Sequence, residues 1–274
     1  MQKREFVMTD QDFLRIRDQV YATAGIVLGD HKREMVYSRL ARRLRLYKHT
    51  DFATYLNYLE QNKEQEYSHF INAITTNLTS FFREKHHFEF LQTTAAADIR
   101  KWHALDKRVR IWSAGCSTGE EPYSIAMTAI PELVKPGWDV KILATDLDSN
   151  VLAKAASGVY SDSNVEGMDD TLKRTWFVRN ATSTSYKVKD SLQKHISFKR
   201  LNLLEPWPMK GPFDIIFCRN VVIYFDQPTK DALFQRYAEL LRPGGYLFLG
   251  HSESMQRGIQ EFEPLGHTIY RRRG

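Results

Sequence analysis

The residues with the clearest chemical consequence form one short run, Gly115-Cys116-Ser117-Thr118-Gly119-Glu120-Glu121, and a single acid further on, Asp146. A glycine turn between a first strand and a first helix is where open α/β sheets bind nucleotides. The spacing here is not the G-x-G-x-x-G of dinucleotide folds. The acids that follow discriminate further. A helix N-terminus carries partial positive charge and attracts phosphate, whereas two glutamates in the first turn would repel a pyrophosphate. They suit a ligand with a cationic amine and a sulfonium and without phosphate, a description that S-adenosylmethionine meets and NAD and ATP do not. Asp146, at the end of a second strand, can accept both ribose hydroxyls. It can equally cap a helix in Asp-Leu-Asp-Ser-Asn, although Asp148 and Ser149 are also available for that. Taken singly, Gly115 and Gly119 read as ordinary turn residues and Glu121 as a complement to the helix dipole.

Other chemistries are weaker. Gly250-His251-Ser252-Glu253-Ser254 begins like a nucleophile elbow but lacks the second glycine and sensibly placed partners. His86 and His87 are adjacent, so a helix is expected to point them in different directions, and no metal is expected. Cys116 and Cys218 are isolated, with neither a disulfide nor a zinc spacing, and read as small buried residues.

The elements that must position these residues follow from periodicity. Phe13, Ile16 and Val20 fall at helical spacing behind a Thr9-Asp10 cap. Asp30 is placed to cap a basic helix. Asp51 is placed to cap one carrying Phe52, Tyr55, Leu56 and Leu59. The stretch 67–82 sets Phe70, Ile71, Ile74 and Leu78 on one helical face. After residue 108 or so the pattern changes. β-type runs at Val109–Trp112, Lys141–Asp146, Ile196–Phe198, Phe213–Cys218 and Tyr246–Leu249 alternate with helical stretches at 120–133, 149–156 and 227–241, the last closed by Pro243-Gly244-Gly245. Such alternation implies a parallel sheet covered on both faces, with 267–272 as a further edge strand. Residues 161–195 interrupt the alternation with a helical segment (168–177) and two short β-type pieces around 180–183, and read as an insertion. The expected organisation is a helical domain over 1–88 and an α/β domain over 89–274.

Hydrophobic residues make up 42% and charged residues 26% of the 274 residues, an ordinary globular balance. No apolar run approaches the ~18 residues needed to cross a bilayer, and the first twenty residues show no signal-peptide core. A cytoplasmic location is expected, without membrane insertion. The net charge is +6. Lys32, Arg33, Arg39, Arg42, Arg43, Arg45 and Lys48, set against Glu34 alone, account for all of it. One basic element therefore points to one acidic partner surface. On a helix at ~100° per residue, Lys32, Arg39 and Arg43 form a stripe beside an apolar face, with Arg42 and Arg45 further round. A solvated basic face is the plainer reading. Nucleic-acid binding is a further one, but it lacks an aromatic platform or recognition motif.

At this point several long blocks resemble the chemotaxis receptor methyltransferases, the CheR family: Gly25–Leu40, Asn72–Glu84, Ser117–Ala126, Phe213–Asp226 and Leu249–Glu253. They occur in the same order and span nearly the whole chain. The resemblance implies a Rossmann-like S-adenosylmethionine-dependent methyltransferase domain with an N-terminal all-helical domain and a small inserted β-subdomain. It implies cofactor contacts at Asn77, Thr79, Arg83, Glu121, Asp146, Asn202, Leu203, Arg219 and Asn220, with Arg83 and Tyr224 nearest the transferring methyl. It also implies that the substrate is a glutamate side chain on a chemoreceptor's cytoplasmic helical bundle, with Lys32, Arg39, Arg42 and Arg43 docking against it. Many members capture a receptor's C-terminal peptide with a glycine-rich loop in the β-subdomain. Residues 179–186 contain no glycine, which favours recognition independent of such a pentapeptide. Rival readings are a methyltransferase acting on another protein or on nucleic acid, a non-catalytic scaffold, and a nicotinamide dehydrogenase. The Asn/Asp-Pro-Pro-aromatic run common in nucleic-acid amino methyltransferases is missing.

Overall fold

A computed structural model describes residues 4–180, 184–255 and 259–274. Two compact units emerge. One runs to Thr76 and takes in Tyr224–Thr229; the other comprises Asn77–Ile223 and Lys230–Gly274.

The first unit is built on four helices: α1 (Asp10–Ala24), α2 (Arg33–Tyr47), α3 (Phe52–Gln61) and α4 (Lys63–Ile74). Thr9 caps α1 in a reciprocal box with Asp12, and Asp51 caps α3 through the Thr54 amide. The apolar stripes meet in a core that buries Phe13, Ile16, Leu40, Leu44, Phe52, Leu56 and Phe70. Two expectations fail here. Asp30 caps nothing: a 3₁₀ turn, Asp30–Lys32, leads into α2, and the Asp30 carboxylate pairs with Arg17 at 3.1 Å. Helix α4 stops at Ile74 rather than continuing to Phe82, and Leu78 is 83% exposed. The reason lies in a neighbouring helix. Arg39 donates to the Ile74 and Thr75 carbonyls at 2.7 and 2.8 Å, satisfying helix-terminal acceptors from outside, and Thr75 turns to extended backbone.

Among the described residues the second unit carries ten strands: β1 (Arg108–Ala114), β2 (Asp139–Asp146), β3 (Val159–Ser161), β4 (Phe177–Arg179), β5 (Ser185–Val188), β6 (Ile196–Arg200), β7 (Phe213–Cys218), β8 (Leu241–Leu249), β9 (Phe262–Gly266) and β10 (Ile269–Arg272). Seven form one sheet in the order β6-β2-β1-β7-β8-β10-β9. The pairings from β6 to β8 are parallel and those of β10 antiparallel. The chain leaves β1 for β2 on one side and returns to its other side as β7. The order therefore reverses at β1, and a ligand crevice is expected at the carboxyl ends there. Helices α5 (His86–Phe90) and α6 (Ala96–Trp102) precede β1, and α7 (Glu120–Leu133), α8 (Ser149–Ser157), α9 (Asp170–Trp176), α10 (Asp190–Gln193) and α11 (Gln227–Leu240) connect the strands. Strand β7 is buried at every position, as a central parallel strand must be.

The insertion forms a separate antiparallel sheet, β3-β5-β4. Within its 179–186 loop, residues 181–183 lie outside the described residues. Strand β8 begins at Leu241, so Pro243-Gly244-Gly245 does not separate helix from strand as expected. Its pairing with β7 slips between Phe213 and Ile215, and the intervening residues bulge around Gly244 at φ 79°.

Candidate cofactor site

The glycine run folds as the turn from β1 to α7. Gly115 adopts φ 100°, and a Cβ there would stand 2.3 Å from Val221 Cγ2. Both conformation and space therefore demand glycine. The Gly115 and Cys116 amides each donate to the Thr145 carbonyl at 2.8 Å. The Ser117 amide donates to Asp146 Oδ2 at 2.8 Å, and the Asp148 amide to Asp146 Oδ1 at 2.9 Å. Asp146 thus ties the turn to the end of β2, while each of its oxygens keeps a lone pair for a further donor. Burial raises its pKa against the pull of those amides. The cap of α8 falls to Asp148, through the Asn150 amide at 2.8 Å.

The two glutamates do not behave alike. Glu120 turns inward, accepts from Thr118 Oγ1 at 2.6 Å and is 2% exposed. Glu121 accepts from Ser113 at 2.7 Å and from Arg219 Nη1 at 3.2 Å. Burial raises both carboxyls, Arg219 working against it at Glu121. The expectation of two uncompensated acids therefore needs correcting, because Arg219 already faces one of them. What results is an acid beside a base, the complement of a zwitterionic amino-acid group. Burial and the nearby Asp146, Glu121 and Glu120 push the Cys116 thiol well up. The three acids therefore converge around the turn.

Arg219 ends β7. Its guanidinium also reaches Glu84 Oε2 at 3.3 Å and the Arg83 carbonyl, and it lies over the Phe88 ring. Its Nε is buried without a partner among the described residues, leaving one donor beside Glu121. Asn220 follows at φ 59°, its amide held by Glu253 Oε2 at 2.8 Å. Asn77 donates to Asp148 at 2.9 Å and accepts from Ser117 Oγ through its carbonyl at 2.9 Å. Thr79 lies in the irregular stretch that follows, and Arg83, half-buried, donates to the Leu78 carbonyl at 2.9 Å. Asn202 and Leu203 follow β6. Arg236 donates to the Leu203 and Glu205 carbonyls, both at 2.6 Å, and stacks 3.7 Å from the Trp207 ring centre. Tyr224 belongs with the first unit, where its carbonyl accepts from Val27 at 2.8 Å.

The basic residues of α2 divide. Arg43 grips the buried Glu66 with two bonds of 2.8 and 2.5 Å, and Arg39 is held by the α4 carbonyls. The stripe expected to face a partner is thus partly committed within its own unit. Lys32 and Arg42 are exposed. His86 and His87 also depart from expectation, since their ring centroids are 4.2 Å apart. Helical side chains lean toward the N-terminus, so both rings fold back toward Glu84.

Three residues escaped the sequence reading of the site. Glu84 and Glu253 sit inside quoted family blocks but carry no spacing signal of their own. Arg236 acts only through the tertiary fold. Glu253, 3% exposed, accepts the amides of Gly250 at 2.6 Å, Asn220 at 2.8 Å and Ile223 at 3.2 Å. It thereby fixes the turns after β7 and β8.

The acceptors at Asp146 and Glu121 and the spare donor on Arg219 fit a ligand with a diol at one end and an amino-acid zwitterion at the other. The family model described as "CheR methyltransferase, SAM binding domain" matches residues 77–271, and "CheR methyltransferase, all-alpha domain" matches residues 11–75. The Chemotaxis protein methyltransferase of Salmonella typhimurium is 45% identical over 273 residues, covering 97% of this chain and 92% of that protein. The protein of that name from Escherichia coli is 45% identical over 269 residues, covering 96% and 91%. Chemotaxis protein methyltransferase 2 of Pseudomonas aeruginosa is 43% identical over 270 residues, covering 97% and 95%.

Proposed function

Because the chain belongs to the CheR methyltransferase family, we propose that its S-adenosylmethionine-dependent methylation in chemotaxis acts on glutamate side chains of a chemoreceptor, forming methyl esters in the cytoplasm. The observation that supports this best is the pairing of a diol acceptor, Asp146, with the Glu121–Arg219 couple around one turn. When bound, S-adenosylmethionine supplies a methyl group activated by a sulfonium leaving group.

A glutamate side chain has an unperturbed pKa of about 4.3, so it arrives as a carboxylate and needs no general base. The protein's task is approach and orientation, worth up to roughly 7–11 kcal/mol. That accords with a site built from anchoring groups rather than from an activated His or Cys. Asp146 would hold the ribose hydroxyls and Glu121 the ammonium group. Arg219, Asn77, Thr79, Arg83, Asn202, Leu203 and Asn220 would complete the contacts. Arg83, whose reach is now spent on one carbonyl, guides the incoming carboxylate. Its role is positional, since a tight ion pair would blunt the nucleophile. Tyr224 would hydrogen-bond near the methyl group. Lys32 and Arg42 meet the acidic face of the receptor bundle, with Arg39 and Arg43 shaping the helix that presents them. The glycine-free 179–186 loop supports recognition without a C-terminal pentapeptide.

The test is methylation of receptor cytoplasmic fragments by Arg83→Ala and Tyr224→Phe, with esters mapped by mass spectrometry. Both variants should lose turnover, and Tyr224→Phe should retain product binding at Asp146. Near-normal methylation by both, or label on residues other than glutamate, would end the assignment.

A further inference from the structure

One group of side chains outside the roles just described has the composition of a metal site. Glu84, His86 and His87 each offer a ligand atom, and these atoms lie within 4.8 Å of one another. Glu84 Oε2 and His87 Nδ1 are 3.5 Å apart. That is close to the roughly 3.3 Å edge of a tetrahedron of ligands set 2.0–2.1 Å from a zinc ion. His87 Nδ1 is buried without a hydrogen-bond partner among the described residues, which is rare for polar atoms in a folded protein, and Glu84 Oε2, also buried, faces the Arg219 guanidinium at 3.3 Å.

The tautomer is suitable. His87, fully buried, meets the His267 carbonyl through Nε2 at 2.9 Å. A carbonyl can only accept, so the ring proton sits on Nε2 and Nδ1 presents its lone pair. A backbone carbonyl on the far nitrogen is also how metal-bound imidazoles are oriented. The half-exposed His86 ring lies 4.2 Å from that of His87 and 5.5 Å from that of His267, so the cluster reaches the surface on the His86 side.

One neighbour opposes a cation. Arg219 stands 3.3 Å from Glu84 Oε2, and a metal would take that oxygen from it. Affinity should therefore fall below that of a closed structural site, giving exchange rather than permanent occupancy. We propose that Glu84, His86 and His87 form an exchangeable site for a divalent transition metal of the zinc class, adjacent in sequence to Arg83. Two imidazoles and one carboxylate favour zinc, cobalt, nickel or copper over magnesium or calcium.

The experiment titrates the full chain with Zn²⁺ against a chromophoric chelator, and with Co²⁺ read by its visible absorption. The native chain should bind one equivalent saturably and give the intense bands of four-coordinate cobalt. His86→Ala, at a half-exposed position, should retain its circular dichroism, lose the bands and bind at least roughly 10–100-fold more weakly, the loss seen even for outer-sphere partners. Glu84→Gln should lose the bands too, and His69→Ala, exposed and remote in sequence, should keep them. Absence of saturable binding, or binding that His86→Ala leaves as tight as in the native chain, overturns the proposal.

Discussion

Replacing Glu66 by leucine asks how much of the basic helix is structural. The Glu66 carboxylate is fully buried. It accepts Arg43 through two bonds, and the hydroxyls of Tyr47 and Tyr55 at 2.8 Å each. Glu66→Leu keeps most of the volume but leaves Arg43, 18% exposed, without its counter-ion and strands both hydroxyls. Breaking one side of a buried pair costs about 3–5 kcal/mol. Both Glu66→Leu and Arg43→Met/Glu66→Leu strand the two hydroxyls, at about 1–3 kcal/mol for each left buried, but the double variant leaves no unpaired charge. The double variant should therefore be more stable than Glu66→Leu alone. Burial by itself would raise the Glu66 pKa, but the bonds from Arg43, Tyr55 and Tyr47 outweigh it and hold the group below its ordinary 4.5. Its stabilisation is thus present above pH ~4.5 and fades as pH falls through the lowered value; Glu66→Leu should abolish that acid slope. The tryptophans, at 102, 112, 138, 176 and 207, all lie in the second unit. Helical circular dichroism in urea is therefore the assay for the first. A loss of that size, against a slope of about 1–3 kcal/mol per molar, moves the midpoint by more than about 1 M. A Glu66→Leu midpoint and acid slope equal to the native ones would refute the reasoning.

The remaining predictions concern the site and its partner. Gly115→Ala should abolish binding of S-adenosylhomocysteine in calorimetry; adding Val221→Ala should restore only part of it, because the overlap goes and the φ strain stays. Glu253→Ala leaves the buried Gly250 amide without its acceptor, at about 1–3 kcal/mol, and frees the part-buried Asn220 and Ile223 amides, so the tryptophan-monitored urea midpoint should fall and product binding weaken. Arg236→Ala frees the Leu203 and Glu205 carbonyls and should raise the KM for the methyl donor more than it lowers kcat. Lys32→Glu/Arg42→Glu should raise the KM for receptor fragments and leave product affinity unchanged, whereas Arg43→Glu is a poor docking test because it breaks the Glu66 cluster.

Much of the sheet was legible because buried parallel strands read as continuous apolar runs, as in Phe213–Cys218, and because Gly115 and Asp146 mark strand ends that chemistry singles out. What escaped depended on contacts distant in sequence. Arg39 ends α4 from another helix, and no local pattern in 67–82 announces it. Glu66 neutralises Arg43 from 23 residues away, so a helical wheel counted as free a charge that is paired. Arg219 sits against Glu121 across 98 residues, which the acid-rich turn alone did not foretell. The converging rings of His86 and His87 were missed for a different reason. Successive Cβ directions on a helix diverge by ~100°, but both side chains share the lean toward the helix N-terminus.

The most direct measurement is transfer of isotopically labelled methyl from S-adenosylmethionine to purified receptor cytoplasmic domains, followed by mild alkali. The native chain should deposit label that alkali releases as methanol, and Asp146→Ala should deposit almost none. Label that survives alkali, or no transfer to receptor under saturating donor, would contradict a glutamate-esterifying enzyme.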